Sequence, residues 1–306
     1  MISQLDYKLR LVKLCSKEGF EIYERDDGKT RVIANGHDLP LKHPSSIWLS
    51  LYRKAQNPEE KFRAMHRVHD LFWPDRALTW NSWTDRRFQA HCEDYQEIVL
   101  AGGAATGKSE DTAKIAIIFW QSDPLNNTAI ITSTTLQAVA KRIWGYVARL
   151  TDLAQQNLIK QGFDPIPGKI TRGVSPKIIH EQAKDHLHGM FAAAVPEGAD
   201  DGVISNIIGT HPAHGLMMVL DESTDMNPVI AKSFSNLRKG VHFFQVWAIG
   251  NSKSKNDLHG AMATPKVGWE NIDPTRNWIW ETNREKGVCL YFYPYDSPAI
   301  TESDPI

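Results

Sequence analysis

The stretch AGGAATGKSE, Ala101 to Glu110, limits this chain more than any other part of it. Gly102, Gly107, Lys108 and Ser109 fit the spacing G-x-x-x-x-G-K-S of a phosphate-binding loop. The small residues between the glycines, Gly103, Ala104, Ala105 and Thr106, let successive backbone N–H groups curl around a polyphosphate. The helix that follows turns the positive end of its dipole toward the same anion. Lys108 adds a mobile charge for the β- and γ-phosphates, Ser109 offers a hydroxyl to a magnesium ion, and the candidate contacts run on to Glu110. Context agrees with the motif: Glu97-Ile98-Val99-Leu100-Ala101 is a short apolar run before the loop, and Asp111 to Gln121 is a helix-compatible run after it. The expected ligands are ATP and Mg2+. The competing reading is a Gly/Ala-rich turn that happens to contain Lys-Ser.

A phosphate loop of this kind works with a second strand that carries acids. Leu216-Met217-Met218-Val219-Leu220-Asp221-Glu222 describes a buried strand with two carboxylates at its carboxyl end. Asp221 is the candidate holder of the magnesium ion that Ser109 also touches, and Glu222 the candidate base that orients and deprotonates a water. The bland alternative is a strand end with solvated acids. Further on, Gln245-Val246-Trp247-Ala248-Ile249 reads as another buried strand, ending in Gly250-Asn251-Ser252. If that strand lies between the other two, Asn251 is placed to sense the γ-phosphate. A strand-ending Gly-Asn turn is the alternative.

The fold class expected is α/β: a P-loop NTPase with a mostly parallel central sheet flanked by helices, over residues 76–306, preceded by a mainly helical region over residues 1–75. At 306 residues, 42% hydrophobic and 23% charged, the chain suits one large globular domain with an added smaller region. Its formal net charge of −1 advertises no polyanion-binding field, although a motor that grips nucleic acid transiently needs local basic loops more than a high total charge. Cys15, Cys92 and Cys289 form no C-x-x-C pair, which suits a reducing compartment and argues against a zinc module. No apolar run approaches about 18 residues and no signal-like amino terminus is present, so a cytoplasmic protein without membrane contact is expected.

In the amino-terminal region, Leu5, Leu9, Val12 and Leu14 are spaced for an amphipathic helix. Asp26-Asp27-Gly28 reads as a turn before the strand Thr30 to Ile33, and Ile47 to Ala55 and Glu59 to Phe72 as helices. Between this region and the loop strand, Trp80, Trp83, Arg87, Gln89 and Gln96 are candidates for contact with adenine by position, with ordinary packing as the rival explanation. Thr128 to Thr132 reads as a second parallel strand. Thr135 to Leu150 reads as one helix, with Leu136, Val139, Ile143 and Val147 inward and Lys141, Arg142 and Arg149 on the other face. Those cations are a solvated face, or one of them is an arginine finger, with Arg142 the candidate and Arg149 and Arg238 its competitors. Gly162 to Pro176 is loop-like, and strands are expected at Lys177 to His180, Gly189 to Val195 and Cys289 to Tyr293, with a helix from Asn227-Pro228 to Leu237. His66 and His69 lie three apart on one helix face and could bind metal, with solvated or core-edge histidines as the favoured reading, and His186, His188, His211 and His214 match no standard zinc spacing.

The order of the phosphate loop, Ile207-Ile208-Gly209-Thr210-His211-Pro212, Val219-Leu220-Asp221-Glu222-Ser223 and Ile249-Gly250-Asn251-Ser252 resembles the ATPase part of the large terminase subunits of tailed bacteriophages, over roughly residues 95–300. The resemblance implies a motor that hydrolyses ATP to move double-stranded DNA into a procapsid through its portal. It also implies a small terminase subunit as partner and a homo-oligomeric ring when assembled, from chains that are monomers in isolation, in the host cytoplasm. It assigns Lys108 and Ser109 to nucleotide and magnesium, Asp221 to the metal, Glu222 to water activation and Asn251 to coupling. Two departures stand out. Many relatives carry an Arg inside the phosphate loop and this loop has none, which is why Arg142, supplied by a neighbouring subunit, is the candidate to neutralise the γ-phosphate. Chains of this family also add a nuclease, for which the sequence up to Asp304-Pro305-Ile306 leaves no room, so no DNA cleavage is expected. A helicase-like ATPase is the alternative within the fold, and a nucleotide-dependent switch or binding module the alternative outside motor function.

Overall fold

The structure is a computed structural model describing residues 3–74, 80–104, 106–173, 175–183, 188–196, 198, 214–251 and 253–298. Ala105, His186, the segment Ile207 to Pro212 and Ser252 lie outside them. The chain divides into two compact units, Met1–Thr79 with Leu150–Ile166, and Trp80–Arg149 with Pro167–Ile306.

The first unit opens with α1 (Gln4–Lys17), started by Ser3, whose side chain accepts from the Asp6 N–H. A three-stranded antiparallel sheet follows, β1 (Glu21–Glu24), β2 (Thr30–Ala34) and β3 (His37–Pro40), of which sequence reading recovers only the middle strand. Two helices complete it, α2 (Pro44–Lys54) and α3 (Pro58–Phe72), each with proline in its first turn, where the missing N–H costs nothing. Leu5 and Leu9 are not on the buried face of α1: they stand 67% and 56% exposed, and Leu11 and Cys15 are the buried positions. Leu11 lies roughly 200° around the helix axis from Leu9, so the leucine spacing marks the opposite side from the one that packs. The segment Leu150–Ile166 belongs to this unit through local bonds. The Trp73 indole donates to the Leu150 carbonyl at 2.9 Å, the Asn157 amide to the Leu71 carbonyl at 2.9 Å, and Tyr7 meets Phe163 edge-on.

The second unit is built on a nine-stranded, mostly parallel sheet. After α4 (Ser82–Cys92) come β4 (Glu97–Gly102), α5 (Lys108–Ser122), β5 (Asn127–Ser133), α6 (Leu136–Lys141), α7 (Ile143–Lys160), β6 (Lys169–Thr171), β7 (Lys177–Ile179) and β8 (Gly189–Ala194). Then follow β9 (Gly215–Asp221), α8 (Ile230–Lys239), β10 (Phe243–Ile249), α9 (Leu258–Ala263), β11 (Trp278–Glu281) and β12 (Gly287–Phe292). The order across the sheet is β11-β12-β4-β10-β9-β5-β8-β7-β6. The six strands from β12 to β8 run parallel, and only the outer pairs are antiparallel. Strands β4, β5 and β9 are buried at every position, as strands covered on both faces are, and the polar ends of β5 are buried with the rest. Helix α5 is buried from Asp111 to Gln121, and α8, α9 and the rings of Trp280 and Phe244 border the core that holds Val99, Met218 and Val246.

Three features depart from the sequence reading. The stretch expected as one helix from Thr135 breaks at Arg142, where φ −102° and ψ −98° end α6. Periodicity hides the break because Val139, Ile143 and Val147 stay buried across it. The loop expected over Gly162 to Pro176 contains the short strand β6, and β11 pairs with β12 at the sheet edge.

Glu97, at the start of β4, is 2% exposed and is held by the Arg284 guanidinium at 2.6 and 3.2 Å and by Arg238 at 3.3 Å. Among the described residues, removing the carboxylate leaves Arg284 without an acid and Arg238 with Glu285 alone. Glu97→Ala is therefore expected to lower unfolding free energy by about 3 kcal/mol; urea unfolding measures it, and a loss below about 1 kcal/mol would contradict this account of the β4 entry.

Candidate functional site

The phosphate loop leaves β4 under tight steric control. Gly102 has φ 133°, and a Cβ there would lie 2.4 Å from the Phe292 carbonyl oxygen at the end of β12. Gly107, with φ 76° in the left-handed region, caps α5 without any side-chain bond to its first N–H groups, which stay available to an anion. Lys108 is buried and curls back over the loop. Its Nζ donates to the carbonyls of Gly102 at 3.0 Å and Gly103 at 2.6 Å, to Thr106 Oγ1 at 3.2 Å and to Asn251 Oδ1 at 3.3 Å. Burial, assisted by the positive charge of Arg87, pulls its pKa down to about 8 against the opposing pull of Glu222 and Asp221.

The parallel register brings the other motifs to the same place. Ile249 pairs with Leu100 on one side and with Asp221 on the other, so β10 lies between the loop strand and the acidic strand and all three end level. Asp221 is 3% exposed, and burial, reinforced by Glu222, raises its pKa to about 6. Its Oδ1 is 3.5 Å from Ser109 Oγ, while its Oδ2 is buried with no hydrogen-bond partner among the described residues. A half-buried hydroxyl beside a buried carboxylate with an unsatisfied oxygen fits a hard divalent cation. Glu222 adopts φ 57° and ψ 46°, a left-handed conformation costly for a non-glycine residue, and its carboxylate meets Arg142 Nη1 at 2.9 Å. The helix break therefore carries Arg142 to Glu222 of its own chain.

These groups share one cavity of about 440 Å³, lined by Ala104, Thr106 through Glu110, Tyr146, Asp221, Glu222 and Ile249 through Asn251. Gly103 sits just behind it, where a Cβ would meet the Pro294 ring at 2.8 Å. Of the residues expected at the site, Ala104, Thr106, Gly107, Lys108, Ser109, Glu110, Asp221, Glu222 and Asn251 thus come together, with Arg142 touching the group. Tyr146 and His259 carry no motif that marks them in the sequence, whereas Arg149 stands there among the cations on the outer face of its helix. Tyr146 lines the cavity from α7, and Arg149 on the same helix pairs with Glu110 at 3.4 Å. His259 on α9 is fully buried, bonds the Leu100 carbonyl through Nε2 at 3.2 Å, and sits against Gly250.

Arg87 is at the site in a different role from adenine contact. It is 1% exposed, donates through Nη1 to Asp111 Oδ2 at 2.5 Å and through Nη2 to the Thr106 carbonyl at 2.7 Å, and stacks its guanidinium 4.3 Å from the Phe292 ring centroid. Its pKa is lowered by burial and sustained by Asp111. It ties α4 to both the loop and the first turn of α5. Trp80 packs on Phe88, Trp83 on Phe292, and Gln89 bonds Asp85; none of these, nor Gln96, is among the described lining residues. Among the described residues no group of three His, Cys, Asp or Glu side chains could hold a metal, and no helix is long and apolar enough to cross a membrane.

Sheet order, phosphate loop and acidic strand together define a P-loop NTPase fold. No family model matches the chain, and no curated protein matches its sequence. Among solved structures it is similar to the large terminase ATPase domain of Thermus phage P74-26, with 13% identity and a TM-score of 0.47 over 77% of this chain and 88% of that one. It is also similar to the HK97 bacteriophage large terminase, with 12% identity and a TM-score of 0.42 over 65% of this chain and 42% of that one. A third is the large terminase of thermophilic bacteriophage D6E in complex with ADP, with 12% identity and a TM-score of 0.38 over 74% of this chain and 44% of that one.

Lysine keeps the charge of Arg87 but lacks the planar fork that reaches Asp111 and Thr106 together. Arg87→Lys is expected to fold and to bind a fluorescent nucleoside triphosphate about tenfold more weakly. Unchanged affinity in a titration would remove the loop-holding role.

Proposed function

We propose that this chain is an ATP-hydrolysing motor subunit of the terminase kind, which drives double-stranded DNA through a portal into a procapsid. The observation that carries the reading is the convergence of Lys108, Ser109, Asp221, Glu222 and Asn251 on one cavity at the level ends of three adjacent parallel strands. In this reading the loop N–H groups and Lys108 hold the phosphates of ATP, and Lys108 exchanges its loop carbonyls for phosphate oxygens. Ser109 and Asp221 would hold Mg2+, which neutralises phosphate charge when bound. Glu222 accepts a proton from the attacking water once Arg142 releases it, and Asn251, already within reach of Lys108, passes the change to Lys253 and beyond. Double-stranded DNA, a portal, a small terminase subunit and further copies of this chain in a ring are the partners proposed.

Arg142 supplies charge to the γ-phosphoryl group in the same proposal, a role worth about 10³–10⁵ in rate where such arginines act. Its contact with Glu222 of its own chain favours its own site over a neighbour's. Mixing Arg142→Ala chains with Glu222→Gln chains in a confirmed assembly should then restore no activity. Recovery of hydrolysis would move the arginine to the neighbour.

The test of the whole reading is steady-state ATP hydrolysis with and without double-stranded DNA, expected to rise with DNA. Lys108→Ala should abolish ATP binding in a folded protein. Glu222→Gln should keep ATP bound and slow hydrolysis by about 10²–10⁴-fold. Wild-type turnover by Glu222→Gln would reassign the base.

Affinity for Mg-ATP should also depend on pH on both sides. Lys108 titrates at about 8 in the free protein and must be charged beside phosphate, so affinity falls as pH rises through 8. Asp221 titrates at about 6 and must be ionised to hold a cation, so affinity falls as pH drops through 6. Calorimetric titration between these limits and beyond them should give a maximum near neutral pH, and a flat profile would contradict both assignments.

A further inference from the structure

Tyr146 is the one aromatic side chain among the described lining of the nucleotide cavity, and it belongs to none of the three motifs that meet there. It stands on α7 one turn beyond Arg142, which ends α6 at the break, and one turn before Arg149. Burial shows that the three share a side of the chain: Arg142, Tyr146 and Arg149 are exposed, while Ile143, Val147 and Leu150 between them are buried. Both cations are fixed to acids of the site. Arg142 Nη1 lies 2.9 Å from Glu222, and Arg149 Nη2 lies 3.4 Å from Glu110. Tyr146, between them, therefore faces the part of the cavity that runs from Glu110 to Glu222, where Ser109 and Asp221 meet. Its ring is also tied to the start of α5, because the Arg149 guanidinium that reaches Glu110 stands 5.6 Å from the ring centroid.

The hydroxyl of Tyr146 has no hydrogen-bond partner among the described residues. The other two hydroxyls of the described lining are engaged: Thr106 Oγ1 donates to the Gly103 carbonyl at 3.3 Å, and Ser109 Oγ lies 3.5 Å from Asp221. Lys108 is turned onto its own loop, and Asn251 gives its side-chain oxygen to Lys108. The side of α7 next to the ring is open, since a Cβ on Gly145 would meet nothing within 4 Å. An incoming group can therefore reach the phenol. Which group it is follows from the neighbours. A cation held by Ser109 and Asp221 joins the last two phosphates of a nucleotide, and Glu222 faces the water that attacks the last one. A donor placed between Glu110 and Glu222 thus meets the terminal phosphoryl group and not the sugar or the base. A phenolic O–H suits that position because it adds a hydrogen bond without adding a charge that would repel the cation.

We propose that the Tyr146 hydroxyl donates to the terminal phosphoryl group of a bound nucleoside triphosphate, so that this residue lets the site distinguish triphosphate from diphosphate. The inference rests on the nucleotide reading of the cavity. Calorimetric titration of the full chain with Mg2+ and either ADP or the non-hydrolysable imido analogue of ATP tests it, on wild type and on Tyr146→Phe. Phenylalanine keeps the ring beside Arg149 and removes the oxygen alone; circular dichroism checks the fold. The variant is expected to bind the triphosphate analogue about tenfold more weakly, as for one lost hydrogen bond to a charged group, and to bind ADP as wild type does. A loss of ring packing would weaken both nucleotides together, and the comparison with ADP therefore separates the hydroxyl from a structural role. Unchanged affinity for the triphosphate analogue, or an equal loss for both nucleotides, would overturn the assignment while leaving the nucleotide reading in place. Wild-type protein that bound neither nucleotide would overturn that reading, and this inference with it.

Discussion

The site depends on the level termination of β4, β10 and β9. Parallel strands that end in register at Leu100, Ile249 and Asp221 place the residues that follow them, Gly102, Asn251 and Glu222, around one opening. The register is fixed because β4 and β9 are buried on both faces and β10 at all but its first position, so a slip by one residue would turn every side chain over. The close approach of Gly102 to Phe292 fixes the direction in which the loop leaves. Neither constraint involves a ligand: the geometry of the cavity is set by packing of the sheet.

Charges are then added to a place where they are costly. Lys108, Arg87, Asp111 and Asp221 are all buried, and each departs from water only because an opposite charge or a backbone carbonyl is near. Two cations, Arg87 and Lys108, lie on one side and two acids, Asp221 and Glu222, on the other. The shifts follow from that: burial makes Lys108 easier to deprotonate and Asp221 easier to protonate. Arg142 and Arg149 pair with Glu222 and Glu110 at the rim, where solvent screens them more, so these contacts are the readier ones to exchange.

What could be read from the sequence was whatever local order dictates. Strand, glycine-rich loop and helix are contiguous in the chain, and an apolar run that ends in Asp221-Glu222 announces a strand end without help from distant residues. Arg87 was legible as a residue near the loop but not in its role. An arginine on a helix reads as solvated or as a ligand contact, and only the fold shows Asp111, Thr106 and Phe292 closing around it. His259 and Tyr146 were not legible at all, because the partner of the one lies 159 residues away and the other lines a cavity whose remaining walls come from distant parts of the chain. Strands β1, β3, β6 and β11, of three or four residues, are too short for alternation to register.

The break between α6 and α7 brings Arg142 into an ion pair with Glu222. Apolar positions on both sides of Arg142 remain buried, so the core does not demand a break, and continuous helix would keep Arg142 on the outer face. The backbone instead departs from helical values at that residue, and Glu222 across the opening takes the left-handed conformation. The ion pair at 2.9 Å joins the residue at the break to this strained one. Strain of this kind persists only where the surroundings over-determine it. Here Asp221 is fixed by the buried strand, and Ser223 is fixed by its hydroxyl bond to the Ile249 carbonyl at 3.1 Å, so Glu222 is held between two anchored neighbours. Glu222 thus lines the cavity from a backbone position that its neighbours fix, and its carboxylate is held by Arg142.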